Sequence, residues 1–199
     1  MMAGTISEFR ELVGFKQSIL TGIAAAVLSF FGTLILSLIG RSSEFRTDMR
    51  EGDFGTWEFT SQILLNAHFV DIGADVADGS YNWLSSPLSD WVFSIPTILF
   101  RIIPVVVLFL MARRLIQSRE QAITTQADAM KVGASMALGY LPAIFFFAST
   151  GVHVVEGPFG AEDHVGPDIP ETIILAGILY PVAIGALAGY HWYTTQDQD

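Results

Sequence analysis

Between Lys16 and Arg41 the chain runs for 24 residues, "QSILTGIAAAVLSFFGTLILSLIG", without one charged side chain. A helix needs about 20 consecutive apolar residues to cross a hydrocarbon core. This run therefore predicts a first membrane span at 18–40, preceded by a segment 1–17. A secretory leader is the competing reading. The run is too long for one, its upstream flank is acid-rich, and no small-x-small cleavage site closes it.

Three more long apolar stretches follow, predicting spans at 91–112, 132–155 and 172–192. The expected fold is all-α: a polytopic membrane protein built as a bundle of four transmembrane helices. A partly helical extracytoplasmic loop at 41–90, carrying a short interfacial helix, joins the first two spans. The remaining connections are 113–131 and 156–171, and 193–199 forms a tail. Composition agrees, with 51% hydrophobic residues, 15% charged residues and a mean hydropathy of +0.49.

Orientation follows from the bases, because Lys and Arg are held back from translocation while acids count for little. Arg10, Lys16, Arg113, Arg114, Arg119 and Lys131 flank the amino-terminal segment and the 113–131 connection, whereas the opposite side has Arg41, Arg46 and Arg50 in a longer loop and 156–171 has no base. A cell-membrane protein with both termini cytoplasmic is predicted. Residues 41–90 and 156–171 then face outward and carry 14 of the 20 acids. Twenty acids against ten bases, only two of them lysine, is a surface suited to concentrated salt and predicts a halophilic source. Nucleic acid is an unsuitable partner, because no basic face exists to neutralise phosphates. The absence of cysteine excludes disulfides, thiolate metal sites and thiol nucleophiles.

Glycines mark where helices in lipid approach closely, as at Gly22, Gly133, Gly139, Gly177, Gly185 and Gly189. Gly185 and Gly189 have GxxxG spacing, readable as packing within the bundle or as the contact of a homo-oligomer. Pro104, Pro142 and Pro181 fall inside three spans. Each frees a carbonyl four residues earlier, which makes a plain kink or, as in transporters, part of a binding site.

Arg101 is the one charge within a predicted span interior. With a helix beginning near Val92 it lies roughly 13 Å below the outer end, level with Tyr180. It is a candidate functional residue with Tyr180 and the Phe100 carbonyl as acceptors, and with Glu171 or Glu156 within reach if it stretches outward. Snorkelling to the headgroups is the structural alternative. Tyr140 is a further candidate, near a second proline. The polar stretch "NAHFV" at 66–70 adds Asn66 and His68, and a cap packed on the bundle is its structural reading. His153, His164 and Asp163 join His68 on the outer side as remote metal ligands. Their spacing matches no ligand motif, so no metal, cofactor or catalytic residue is assigned.

Three stretches, "NAHFVDI" (66–72), "GASMALGYLPAIFFF" (133–147) and "PETIILAGILYPVAIGALAG" (170–189), together resemble an uncharacterised family of haloarchaeal four-helix membrane proteins. The resemblance runs from about Trp57 onward. It places Asn66 to Val70, Gly139 to Pro142, and Gly177, Tyr180, Pro181 and Gly185 on family motifs. It implies the four-span fold and the halophilic source, and it supplies no activity. The expected function is a non-catalytic membrane subunit or interaction protein, embedded in the lipid bilayer beside a membrane-protein partner. The alternative is a small-solute or ion transporter or channel working as a homo-oligomer. A metal-dependent membrane hydrolase is the remote third reading.

Overall fold

In chain order the helices are α1 (Phe15–Gly40), α2 (Thr56–Ala67), α3 (Ser89–Val92), α4 (Ile98–Ser118), α5 (Gln126–Ala134), α6 (Ala137–Thr150) and α7 (Ile169–Gln196). This computed structural model describes residues 11–45, 55–74, 79–85, 87, 89–156 and 162–196. The chain is mostly helical, and three of its helical runs are long and apolar enough to cross a membrane: α1, the pair α5–α6, and α7. Helix α4 spans 21 residues, but every 18-residue stretch of it contains Arg101, Arg113 and Arg114.

The bundle has two ends of different character. One gathers Leu12, Arg119, Glu120 and Gln196: Arg119 Nε donates to the Leu12 carbonyl (3.2 Å) and Gln196 Nε2 to Glu120 (3.2 Å). Nearby, Thr125 and Asp128 cap α5 reciprocally, each side chain accepting the other's backbone N–H at 3.2 Å. That capping box begins the third hydrophobic run at Gln126 rather than near Val132. The run breaks at Ser135–Met136, where the Ser135 hydroxyl bonds the Val132 carbonyl and Ser18 of α1.

Helix seams here are backbone contacts. A Cβ on Gly133 would stand 2.1 Å from the Gly185 carbonyl oxygen, and one on Gly185 would stand 2.4 Å from that of Gly133. Gly189 meets Ala129, and Gly139 meets Ile19, in the same manner. Gly185 and Gly189 are thus consumed by packing inside the chain. This is the packing within the bundle that their spacing suggested, with both faces of that seam belonging to one molecule.

The opposite end is not purely helical, which corrects the all-α expectation. A four-stranded antiparallel sheet, ordered β2-β1-β4-β3, is formed by β1 (Ile72–Ala74), β2 (Ser80–Tyr81), β3 (His153–Glu156) and β4 (Glu162–Pro167). The third run accordingly ends at Thr150 rather than Val155, and "HVVE" pairs as a strand with residues 162–165.

Helix α2 corrects a second expectation. Residues Phe59 to Ala67 are buried on every side, so α2 is inserted into the bundle rather than laid on its surface. Most of its polar groups find partners, the buried Ser61 hydroxyl being the exception. Thr60 donates to the Thr56 carbonyl, Gln62 Nε2 donates to the carbonyls of Gly151 (3.1 Å) and Val165 (3.4 Å), and Gln62 Oε1 accepts from Trp83 Nε1 (3.0 Å). Phe59, Ile63 and Ala67 pack with Phe45, Val92, Phe93 and Phe100 in one apolar cluster, while Leu64 and Leu65 join the main core.

Candidate functional site

The carboxyl end of α2 brings five of the sequence-derived candidates together. Helix α2 finishes with two reverse bonds, Phe69 N–H to the Asn66 carbonyl (3.0 Å) and Val70 N–H to the Leu65 carbonyl (3.1 Å). This is the closing turn that ordinarily takes glycine at its left-handed position. Phe69 occupies that position at φ 64°, a backbone cost of about 1 kcal/mol for an L side chain. Its ring carries the guanidinium of Arg101 at 4.6 Å, a cation–π contact that offsets part of the strain.

Asn66 locks the same turn. Its Nδ2 donates to the Val70 carbonyl (2.7 Å) and its Oδ1 accepts from the Trp83 backbone N–H (2.8 Å). His68 is 1% exposed. Its Nδ1 lies 2.7 Å from the Leu64 carbonyl oxygen, which only accepts, so Nδ1 carries the proton. The neutral ring then accepts through Nε2 from the Tyr140 hydroxyl at 2.8 Å. Tyr180 closes the group, its ring edge-on to the imidazole at 4.6 Å. Burial drives the His68 pKa from 6.5 down to about 4, against the opposing pull of the Leu64 carbonyl.

The geometry around Tyr180 comes from α7. Residues Thr172–Leu179 form π-helical turns just before Pro181, which cannot donate to the helix. The widened turn sets Tyr180 against His68 and within electrostatic range of Arg101.

Arg101 is shallower than expected. Residues 93–97 interrupt the second apolar stretch, so α4 starts at Ile98 and Arg101 lies in its first turn. It stands over the Phe69 ring, and its Nη2 donates to the Ser85 hydroxyl. Glu171 instead accepts from the Asp71 backbone N–H at 3.1 Å. Ser85 and Gln62 were not singled out from the sequence, Phe69 was read only as a member of the 66–70 motif, and Trp83 only as an interfacial anchor. The unusual glutamine in the run "QILL" was the one local signal available.

The remote metal ligands are not assembled. His153 pairs with Val165 and Val154 with His164, which puts the two histidines on opposite faces of the hairpin. Asp163 stands opposite Val155 in register, and its side chain lies outside the described part. Among the described residues no group of three or more His, Asp or Glu side chains gathers to hold a metal.

These features define a predominantly helical protein with three helices fit to cross a membrane and a buried imidazole–phenol pair fastening an inserted helix. The chain belongs to a family of unknown function (DUF7978), whose match covers residues 7–195. No curated protein and no solved structure matches it.

Proposed function

We propose that the chain is a four-span cell-membrane protein acting as a non-catalytic subunit or interaction protein within a larger membrane assembly. One observation carries this reading: the imidazole–phenol pair on which the candidates from the sequence converge is closed to substrate. His68 has both ring nitrogens engaged by protein groups, and Tyr140 is fully buried beside it. A general base or ligand site needs a free nitrogen facing an open space.

Helix α4 supplies the fourth span in this reading. At about 1.5 Å per residue its length is roughly 31 Å. It turns Ile98, Ile102, Val106 and Leu110 outward on one face, and its arginines stand near its two ends, where they reach headgroups. Residues 12 and 196 lie at one end of the bundle with Arg113, Arg114 and Arg119, which supports cytoplasmic termini. The acid surplus supports a high-salt setting.

A transporter is the second reading, favoured by the π-helical turns beside Arg101 and Tyr180. Affinity purification from the native membrane at high salt, with every co-purifying protein quantified, separates the two. The subunit reading expects one foreign membrane protein near one-to-one. A pure self-oligomer whose solute flux is lost in Arg101→Leu would overturn it.

A further inference from the structure

Leu12 meets Arg119 at one end of the bundle and Gly32 meets Ile103 further along, so α1 and α4 run antiparallel. At Gly32 the contact is close: a Cβ there would fall 2.9 Å from Ile103 Cγ2. Toward the Leu12–Arg119 end the two helices leave a groove of about 310 Å3 between them. That lies within the range of small-ligand clefts, roughly 300–1,000 Å3.

Each helix lines the groove with one stripe at the i, i+3, i+4, i+7 spacing of a single face. On α1 the stripe is Gln17, Leu20, Thr21 and Ala24, and on α4 it is Met111, Arg114, Leu115 and Ser118. Because the helices are antiparallel, Gln17 and Ser118 share the outermost level. Ala24 and Met111 share the deepest, about 10 Å further in at about 1.5 Å per residue. The groove therefore passes from polar to apolar along its length, with Thr21 and Arg114 between. The Ser118 hydroxyl is spent on the Leu115 carbonyl at 2.7 Å. Arg114 is exposed and has no hydrogen-bond or ion-pair partner among the described residues. No acid lines the groove, so nothing there would pair with the ammonium of a zwitterionic headgroup. A cation without a counterion, set above an apolar slot between long apolar helices, matches a negative headgroup carrying a hydrocarbon chain.

We propose that the α1–α4 groove holds one anionic phospholipid. Its phosphate accepts from the Arg114 guanidinium in a charge-assisted bond, with Gln17 and Thr21 as further donors. Its chain lies along Ala24, Met111 and Leu20, the last of which is 56% exposed. The site requires α4 to be the fourth span proposed above, and it holds whether the chain is a subunit or a transporter.

Leu110 lies one turn deeper than Arg114 on the same face and is 57% exposed, which makes it a reporter for both claims. The chain has no cysteine, so Leu110→Cys accepts a single fluorophore. The labelled protein goes into vesicles in which either phosphatidylglycerol or phosphatidylcholine carries brominated chains. Salt is kept at about 1 M, where screening beyond roughly 3 Å removes diffuse attraction. Quenching by brominated phosphatidylcholine alone reports α4 in the membrane. Phosphatidylglycerol at the same fraction should be preferred about fivefold, the scale of one charge pair. Arg114→Gln should abolish the preference, whereas Arg113→Gln, which removes the same charge from outside the groove, should retain it. No preference in the parent, or equal loss in both variants, would overturn the site and leave the fourth span standing. A fluorophore that no brominated lipid quenches would overturn span and site together. Loss of the preference on adding inorganic phosphate would give the groove to a free anion and overturn it as a lipid site.

Discussion

The two ends of this bundle are held by different physics. At the Gly133–Gly185 seam, helices touch through backbone, and what matters is the absence of side chains. At the α2 end, a whole helix is inserted and what matters is the presence of particular polar side chains: Gln62, Asn66 and His68 each reach a carbonyl or donor contributed by another turn. The first kind of contact tolerates no added volume. The second tolerates volume better and tolerates an unmatched hydrogen bond poorly.

That contrast orders the expected effects of substitution. Gly185→Leu drives a side chain into the Gly133 carbonyl and should cost roughly 3 kcal/mol or more, read as loss of folded protein in size exclusion or a collapsed melting temperature. A mild effect there would mean the seam opens easily and would break the comparison.

Acid attacks only the α2 end by way of His68. Its folded pKa, about 4, lies below the ordinary 6.5, so between those values the unfolded chain binds more protons. Stability from the neutral ring is complete above pH 6.5 and is lost as pH falls toward 4, by roughly 3 kcal/mol in all. Melting curves of wild type against His68→Asn, at matched salt, isolate this component from the many surface acids.

Tyr140→Phe keeps the ring and leaves His68 Nε2 without its donor. A loss of about 2 kcal/mol is expected, measured by thermal unfolding, and it should flatten the acid dependence between pH 6.5 and 4 by changing the environment of the imidazole.

Phe69 gives the smallest and sharpest effect. Phe69→Ala removes the Arg101 contact and keeps the left-handed backbone strain, whereas Phe69→Gly removes both. The glycine variant should be more stable than the alanine variant by about 1 kcal/mol, and equality would show that the turn is not held left-handed.

Much of the first region was legible in the sequence and little of the second. Charge-free runs and small residues at helical spacing are local patterns, so α1, α7 and the glycine seam could be read from them directly. Helix α2 could not be placed, because "WEFTSQILLNA" has apolar residues on no single face, and its glutamine is satisfied by Gly151, Val165 and Trp83, up to 103 positions away. The sheet escaped notice because β1 pairs with β4 across some ninety residues of intervening chain. Asn66, His68, Tyr140, Tyr180 and Arg101 were each singled out, but their convergence depends on two breaks that shift every depth: the late start of α4 at Ile98 and the π-helical turns before Tyr180.

The central claim is that His68 fastens α2 and is not an open reactive group. Nitrogen-15 NMR of histidine-labelled full-length protein in nanodiscs, with the His68 signal assigned by its loss in His68→Asn, tests it directly. The account predicts a neutral ring protonated at Nδ1, bonded at Nε2, and still neutral at pH 5. A ring that is protonated near pH 6.5 or exchanges between tautomers would contradict it and make His68 a working acid–base group.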